Sequence, residues 1–448
     1  MSLKEEFSTF AKTVLDVLSV PNLRQSARDV GFVQRLKKLK PEDFLSICAF
    51  LPQPVGSTEL TQLCGALSRE SNTQLSKQAL HQRFDEKGAA FLKHVFFQLA
   101  GKQEVIAMPP LPETPFSRIR ILDATSFERP RKEGTSSDGA KIHLEYELYE
   151  GKFLHTLLCG SRESDHHAAY ALADTIQPGD LIIRDLGYFS GDHLKQIDRA
   201  GASYITRTPA NMTYWTRDDQ GERIQIKPEE DAKQLEPGAI KDYGVIQLGV
   251  KGKNTLQTRV IVQRLTEDQQ NKRKAGLRKR RRKGGHTQSA DKKDHTQILA
   301  TNLTQEEMDV QALYPMYSLR WQVEILFKTW KSLFAIDHVR AMNPDRFLCH
   351  MYGKLIHILL SSMVAFQCRF YLHQKHHLEG SEYKCIHHAK RAIEESKGYA
   401  LYHRSSLEDV LENIYENIYR YGRKDHRHRH QSPYDILQIA YETHARME

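Results

Sequence analysis

Three carboxylates in this chain have the surroundings that metal-dependent phosphoryl transfer requires. Asp123 follows the apolar run RIRIL, Asp185 follows LIIR, and Glu324 lies on a predicted helix. Both apolar runs predict buried strands, and the ends of neighbouring strands in a mixed sheet bring such acids to one edge. Two Mg²⁺ ions held by carboxylate oxygens can activate a water or a 3′-hydroxyl and stabilise the leaving oxygen. The chain has 56 acidic residues, so such triples also arise by accident.

The helix predicted at residues 317–331 carries a polar stripe of mixed charge. At about 100° per residue, one arc of this helix holds Tyr317, Arg320, Glu324, Lys328 and Lys331. A separate arc is apolar and is predicted to face the core, and it holds Leu319, Val323, Leu326, Phe327 and Trp330. An acid, three bases and a phenol at fixed spacing fit a site for metal and phosphate. An ordinary surface ion pair between Arg320 and Glu324 is the alternative.

The spacing of these residues resembles the signature of a known family. The pattern Y-x2-R-x3-E-x6-K occurs without a gap, at Tyr317, Arg320, Glu324 and Lys331. The segments DATSF (123–127) and DLGYF (185–189) lie upstream in the matching order. The chain is therefore similar to DDE transposases of the insertion sequence 4 family, and the resemblance covers most of its length.

This resemblance implies an α/β fold with an RNase H-like catalytic domain that carries a β-rich insertion and acts as a homodimer on double-stranded DNA. It implies that Asp123, Asp185 and Glu324 bind two Mg²⁺ ions, for which Mn²⁺ can substitute. Phosphates at the transposon end would be held by Tyr317, Arg320 and Lys331. Lys328 and Arg207 are further candidates for DNA contact, although ordinary helix and strand positions explain them equally well.

The resemblance also implies how the second DNA strand is cut, through a hairpin that requires an extruded base. Family members place a tryptophan on the strand before the signature helix to receive that base, and Gln297 stands at the matching place here. Trp215, in MTYWTRD, is the substitute that we predict for this role. Trp321 and Trp330 are predicted to belong to the core rather than to stack on bases.

The positive charge of the chain is concentrated in one run. The formal net charge is +9, and residues 272–283 contain nine Lys and Arg and no acid. Runs of this density displace condensed counterions from nucleic acid, whereas a solvated loop is the structural alternative. The candidate phosphate contacts of this run are Lys272, Arg273, Lys274, Arg278, Lys279, Arg280, Arg281, Arg282 and Lys283.

A helical pattern near the N-terminus is typical of a helix-turn-helix. A short helix is followed by a break at residues 71–72 and by a polar, basic helix. An ordinary helical bundle explains the pattern equally well. The candidate DNA contacts of the second helix are Lys77, Gln78, His81, Gln82 and Arg83.

Composition changes along the chain predict its domain organisation. Residues 1–107 form a helical DNA-binding domain, and the segment MPPLPETP (108–115) forms a linker. The catalytic domain comprises residues 116–200 and 296–344, and the β-rich insertion with its basic loop comprises residues 201–295. A C-terminal helical region for dimerisation or DNA contact follows at residues 345–448.

Nothing in the sequence predicts a membrane protein. The apolar run LIHILLSSMVAF (355–366) is shorter than the ~20 residues that span a bilayer, so we predict a buried helix. Six scattered cysteines without CxxC spacing predict reduced thiols in a cytoplasmic protein. The family resemblance implies that this protein is bacterial and associated with the nucleoid. Two alternatives to a transposase stay open, namely a transposase-derived regulator that binds DNA without cutting it and an RNase H-like nuclease without strand transfer.

Overall fold

A computed structural model describes most of the chain. The described residues are 3–35, 38–52, 54–105, 115–127, 139–161, 163, 165–209, 211–250, 253–282, 295–402, 407–424 and 433–437. Most of the predicted linker at residues 108–115, and Lys283 of the basic run, lie outside these ranges.

Ten strands form a single sheet in the described part of the chain. They are β1 (Arg118–Phe127), β2 (Ala140–Glu147), β3 (Lys152–Gly160), β4 (Asp180–Arg184), β5 (Ser203–Arg207), β6 (Thr213–Arg217), β7 (Arg223–Ile226), β8 (Ile240–Val250), β9 (Lys253–Arg264) and β10 (Thr296–Thr301). Their order is β3-β2-β1-β4-β5-β10-β9-β8-β6-β7. β4 is parallel to both β1 and β5, and the other neighbouring pairs are antiparallel.

Helices cover both faces of this sheet and extend into a bundle beside it, so the protein is mixed α/β. They are α1 (Leu3–Leu18), α2 (Val20–Asp29), α3 (Pro41–Leu45), α4 (Leu60–Ser71), α5 (Lys77–His81), α6 (Glu86–Gly101), α7 (Asp165–Tyr170), α8 (Gly191–Arg199), α9 (Pro228–Gln234), α10 (Glu267–Arg282), α11 (Val310–Ser318), α12 (Trp321–Phe334), α13 (Pro344–His376), α14 (Glu382–Tyr402), α15 (Leu407–Tyr421) and α16 (Pro433–Ile436).

The first strand is longer than the sequence predicts. Asp123 was expected to end it, but β1 continues to Phe127 because β2 pairs with it as far as Phe127 and Ala140. The parallel pairing with β4 ends earlier, at Leu122 and Arg184. Asp123 therefore lies inside β1, directly after the last residue of β1 that pairs with β4.

The strands of residues 201–295 extend the same sheet. β5 pairs in parallel with β4, so this strand continues the sheet of the preceding segment. β10 pairs with β5 on one side and with β9 on the other, which joins β6–β9 to the sheet. The basic run lies on α10, which follows β9 and begins with Glu267 and Asp268 in its first turn. Acids are favourable at that end of a helix.

The N-terminal and C-terminal helices share one hydrophobic core. The ring of Phe7 on α1 lies 5.5 Å from that of Tyr371 on α13 and 6.2 Å from that of Tyr415 on α15. By length and composition α13 could cross a membrane, yet 89% of its most apolar window is buried inside the protein. The apolar run at residues 355–366 belongs to this helix, so the prediction of a buried helix is confirmed.

A buried histidine joins the helical bundle to the segment that follows α12. The Gly56 N–H donates to Nδ1 of His350 at 3.2 Å, and Nε2 of His350 lies 3.0 Å from the carbonyl of Ile336. A Cβ at Gly56 would approach both His350 and Val339 to 2.9 Å, so only glycine fits there. Burial lowers the pKa of His350 to about 4, which keeps the ring neutral and able to accept the Gly56 N–H.

This arrangement predicts a specific loss of stability in acid. The unfolded histidine titrates near ~6.5, and the folded one titrates at about 4. The contribution of the neutral His350 ring to the free energy of unfolding is therefore complete at neutral pH. It falls as the pH drops from ~6.5, by ~2 kcal/mol at about pH 5. His350→Asn lacks this titration, so thermal unfolding should show the stability gap between wild type and variant narrowing over that pH range. His338→Asn, an exposed position in the same segment, is the control, and a constant gap contradicts the assignment.

Candidate active site

Strand register places two of the candidate carboxylates side by side. Leu122 on β1 is paired with Arg184 on β4, so the residues that follow them, Asp123 and Asp185, are neighbours at this edge of the sheet. Asp185 begins a single 3₁₀ turn, Leu186–Tyr188, that leads the chain away from the strand. The predicted proximity of the two aspartates follows from this parallel pairing.

Helix α12 brings the third carboxylate to the same edge. Its predicted apolar arc is buried and packs on the face of β1 that carries Ile119 and Ile121. The Trp330 ring lies 5.7 Å from that of Phe153 on β3. Glu324 lies on the other side of the helix and remains partly exposed.

The signature residues lie on two helices rather than on the single predicted one. α11 ends at Ser318 and α12 begins at Trp321. The Ser318 hydroxyl donates to the Pro315 carbonyl at 2.6 Å, and the Leu319 N–H bonds instead to Met316 at 3.1 Å. This local change from i→i−4 to i→i−3 hydrogen bonds interrupts the helix, and it separates Tyr317 from Arg320.

Arg320 lies between two of the carboxylates. Its guanidinium is 3.3 Å from an oxygen of Asp123 and 2.8 Å from an oxygen of Glu324. Burial opposes the charge of this guanidinium, but Asp185, Tyr317, Glu324 and Asp123 together raise the pKa of Arg320 above its usual value. The helical pair of Arg320 and Glu324 is thus part of a partly buried cluster that includes Asp123, and it is not an isolated surface pair.

The environment of Asp123 disfavours its ionised form. Burial raises the pKa of this carboxyl to about 6. The Ala124 N–H and Arg320 favour the ionised form and lower the pKa, but they do not cancel the effect of burial. Glu324 and Asp185 add to the increase by repulsion. The ionised form of Asp123 is therefore opposed by burial and by two neighbouring acids, and it is favoured by Arg320 and the Ala124 N–H.

The second aspartate is held by a phenol and faces a basic residue. The hydroxyl of Tyr317 donates to Asp185 at 3.3 Å, and burial raises the pKa of Tyr317 above its usual value, so the phenol remains a donor. The guanidinium of Arg207, on β5, lies 4.0 Å from the same carboxylate. The candidate residue Arg207 therefore lies at the cluster.

Two lysines continue the polar stripe of α12. Lys331 donates to the carbonyl of Ser126 at 3.4 Å, and its ammonium group lies 5.2 Å from the ring of Phe127. Lys328 is exposed. Both lie further along the helix than Glu324, so the stripe forms a basic track that leads away from the carboxylates.

The tryptophans do not all follow the sequence predictions. Trp330 is buried as expected, but Trp321 is 51% exposed, so the core prediction is wrong for that residue. It begins α12 on the solvent side, with the guanidinium of Arg320 5.0 Å from its ring. Trp215 lies on β6, five strands from β4 or ~24 Å at the usual strand spacing. Gln297 lies on β10, where its carbonyl accepts from Tyr314 at 2.8 Å.

The predicted DNA-contact helices have different lengths. The first helix, α4, ends at Ser71 as expected, with Asn72 in a left-handed conformation, but α5 has only five residues. Arg83 is partly buried, with its guanidinium 5.9 Å from the Phe32 ring. The other candidates of this region are exposed, namely Lys77, Gln78, His81 and Gln82.

The basic run forms the C-terminal part of α10. Arg273 donates to the Thr296 carbonyl at 2.9 Å, which ties the helix to β10. Lys272 and Arg278 are exposed and Lys274 is partly exposed. The helix continues through four further cations whose side chains lie outside the described part of the chain, Lys279, Arg280, Arg281 and Arg282.

The sequence analysis missed a buried charge network behind the carboxylates. Glu145 on β2 binds Arg120 at 2.6 Å and Arg184 at 3.5 Å, and Arg120 also binds Asp180 at 2.9 Å. All four side chains are almost fully buried. Charged residues inside the apolar runs RIRIL and LIIR were the available signal, because a charge on a buried strand needs a partner.

Comparison with known proteins agrees with this geometry. The protein family described as "Transposase DDE domain" matches residues 114–360. The chain belongs to this DDE transposase family. "Transposase for insertion sequence element IS231C" of Bacillus thuringiensis subsp. berliner is 34% identical over 99% of this chain and 97% of that protein. "Transposase for insertion sequence element IS1151" of Clostridium perfringens is 28% identical over 98% and 97%.

The resemblance read from the signature is therefore confirmed. The transposase is of the bacterial insertion-sequence type, and the insertion sequence 4 family fits these relatives. It is a metal-dependent enzyme that cleaves and transposes DNA. A solved structure, "Cryo-EM structure of piggyBac transposase synaptic complex with hairpin DNA", matches 96% of this chain and 85% of that one with 9% identity and a TM-score of 0.43.

The carboxylates of the transposase suit a divalent metal by their chemistry. Oxygen ligands are those that Mg²⁺ and Mn²⁺ prefer, and Asp123, Asp185 and Glu324 supply carboxylate oxygens. In the arrangement described, no three acidic, histidine or cysteine side chains of the described residues are grouped to hold a metal ion. Arg320 instead bridges Asp123 and Glu324.

This arrangement predicts that Arg320 substitutes for metal charge. Arg320→Ala should lower the melting temperature in EDTA, because it leaves Asp123 and Glu324 to repel each other. Millimolar Mg²⁺ should then raise the melting temperature of the variant more than that of the wild type. Arg259→Ala is the matched control, because Arg259 is a buried arginine that binds Asp242 at 2.7 Å on strands of the insertion. An equal response of both variants to Mg²⁺ would contradict the prediction.

Proposed function

We propose that this transposase binds terminal inverted repeats, cleaves the ends of its element by two-metal hydrolysis and joins the 3′-hydroxyl ends to target DNA. The observation that carries the proposal is the cluster itself. In a member of the DDE transposase family, Asp123 and Asp185 are register neighbours, and Glu324 reaches the same edge beside Arg320.

The fold supports an RNase H-like catalytic domain as part of this proposal. Parallel strands β1, β4 and β5 lie beside the antiparallel β2–β3 hairpin, and the first two acids lie where the pairing of β1 with β4 ends. Strands β6–β9 then form the insertion that precedes the last acid. The domain ranges given from the sequence remain part of the proposal.

Each side chain of the cluster has a distinct role in the proposed chemistry. Asp123, Asp185 and Glu324 would hold two Mg²⁺ ions, with Mn²⁺ as a substitute. The ions would activate a water or a 3′-hydroxyl and stabilise the leaving oxygen. Arg320 would exchange its carboxylate partners for DNA phosphate. Charge-assisted bonds to phosphate are stronger than neutral ones, and the other candidates for them are Tyr317, Arg207, Lys328 and Lys331.

DNA is the proposed partner, and a homodimer in the bacterial cytoplasm, associated with the nucleoid, is the proposed form. The cations of α10 would contact phosphates whatever the sequence, because such contacts carry no base information. The exposed side chains that follow Lys77, at residues 78–82, would select the sequence of the repeat. Within α5 and the turn that follows, Gln78, His81 and Gln82 can each donate to and accept from base edges.

We further propose that the second strand is cut through a hairpin. One carboxylate cluster per DNA end must sever two antiparallel strands, and a hairpin brings the second strand to the same cluster. Extruding a base costs a few kcal/mol, and an aromatic face can offset part of that. Trp215 was the first choice for this face, but the exposure of Trp321 beside Arg320 favours Trp321.

The carboxylate assignment predicts loss of cleavage with intact DNA binding. Glu324→Gln keeps the shape of the side chain but removes an anionic ligand, and Asp123→Asn and Asp185→Asn should behave alike. On a denaturing gel of an end-labelled element end in Mg²⁺, nicking should fall by at least about 10³-fold, while gel-shift affinity stays within a few-fold. Glu306→Gln, an exposed acid before α11, is the control.

The same gel tests the rest of the proposal. Near-normal nicking by any of the three variants refutes the site. A transient product of twice the strand length supports the hairpin, and double-strand breaks without it refute that route. Joining of cut ends to a target plasmid separates a transposase from a nuclease without strand transfer, and nicking itself separates it from a non-cutting regulator.

Neutralising the basic run should weaken binding to every DNA sequence alike. Replacing the cations of residues 272–283 by glutamine removes phosphate contacts, each of which contributes about 0.9 to the slope of log affinity against log salt. Fluorescence anisotropy over a salt series should show a shallower slope with unchanged preference for the repeat. Substitutions at Gln78, His81 and Gln82 are the counterpart and should reduce that preference instead. A lost preference with an unchanged slope after neutralisation would reverse the two assignments.

A further inference from the structure

A groove lies between the N-terminal helices and the segment that follows α12. Its volume is about 400 Å³. Two stretches of the chain that are distant in sequence form its walls. One stretch includes the start of α4, and the other connects α12 to α13. The groove is lined by Gly56, Thr58, Glu59, Leu60, Thr61, Lys77, Arg340, Ala341, Met342 and Arg346.

The lining of this groove has an excess of positive charge. Lys77 and Arg340 are exposed, and neither forms an ion pair with any side chain in the described ranges. Arg346 is partly buried and faces no carboxylate at ion-pair distance among those residues. Burial without such a partner lowers the pKa of Arg346. Three cations therefore face a single lining acid, Glu59.

Hydrogen bonds to main-chain carbonyls hold the two walls together. The Arg340 N–H donates to the Gly56 carbonyl at 2.8 Å. The guanidinium of Arg346 donates to the carbonyls of Val55 at 2.9 Å and Thr58 at 2.6 Å. Glu59, at the N-cap position of α4, makes no capping bond with its side chain. The first turn of α4 thus adds the positive end of a helix dipole to the same groove.

We propose that this groove binds backbone phosphates of the DNA duplex whose end reaches the carboxylates. The inference rests on the proposed function for the identity of the ligand as DNA. Glu324 and Phe334 are ten residues apart on α12, ~15 Å along the helix, and the segment bearing Arg340 follows directly. One duplex, with a phosphate every ~3.4 Å along each strand, is long enough to contact both places. The lysines of α12 lie between them.

The sign of the charge in the groove provides the test. Lys77→Ala and Arg340→Ala should each weaken binding of a mixed-sequence linear duplex, by about three- to ten-fold, and each should reduce the salt slope by about 0.9. Glu59→Gln should do the opposite, tightening binding and steepening the slope. A misfolded variant cannot produce that gain. Arg391→Ala removes the same charge from an exposed pair with Glu395 on α14 and is the matched control.

Fluorescence anisotropy of the full-length protein on labelled duplex over a salt series measures all four variants. The inference is overturned if Lys77→Ala and Arg340→Ala behave like Arg391→Ala, or if Glu59→Gln fails to tighten binding. It is also overturned if the losses appear with the repeat sequence but not with mixed-sequence DNA, because the groove would then read bases. If the variants show these charge effects but the wild-type protein does not nick DNA in Mg²⁺, the proposed catalysis is refuted and the groove assignment stands.

Discussion

Mutual repulsion between Asp123, Asp185 and Glu324 is the constraint on which the rest of this structure depends. Three carboxylates drawn together from two strands and a helix oppose folding unless something offsets their charge. Arg320 offsets part of this charge, because its buried guanidinium lies 3.3 Å from Asp123 and 2.8 Å from Glu324. The third carboxylate, Asp185, accepts a hydrogen bond from Tyr317 and lies 4.0 Å from the guanidinium of Arg207. Even so, the pKa of Asp123 is raised to about 6, mainly by burial and further by repulsion from Glu324 and Asp185.

Holding like charges together also requires a rigid support. On the opposite face of the sheet, Glu145 ties Arg120 of β1 to Arg184 of β4 across the strand pair that carries the aspartates. Breaking a buried pair of this kind is strongly destabilising, about 3–5 kcal/mol. Without Glu145, Arg120 would keep Asp180, but Arg184 would be left buried with no carboxylate at ion-pair distance among the described residues. The network therefore makes sliding of β1 against β4 unfavourable, and such sliding would separate Asp123 from Asp185.

The sequence predicted the carboxylates better than the elements that bear them. The Y-x2-R-x3-E-x6-K signature and the two upstream aspartate segments selected Asp123, Asp185 and Glu324, and the structure links the three through strand register and Arg320. Their role as metal ligands stays a prediction. The end of β1 was predicted too early because pairing with β2, which is distant information, extends it to Phe127. The helix break at Leu319 depends on a side-chain bond from Ser318 to a main-chain carbonyl, which helical periodicity does not encode. Exposure of Trp321 likewise depends on tertiary packing, because the residue type alone favours the core.

The shared core of α1, α13 and α15 has a consequence for how the protein is made. Phe7 emerges from the ribosome long before Tyr371 and Tyr415, the two rings against which it packs. The N-terminal helices therefore lack part of their core until α13 and α15 have been synthesised. A chain terminated early would keep the sequence of the N-terminal helices, with the DNA-contact candidates of residues 77–83, but would lose part of the core on which they pack. The N-terminal helices can therefore complete their packing only after the C-terminal helices have left the ribosome.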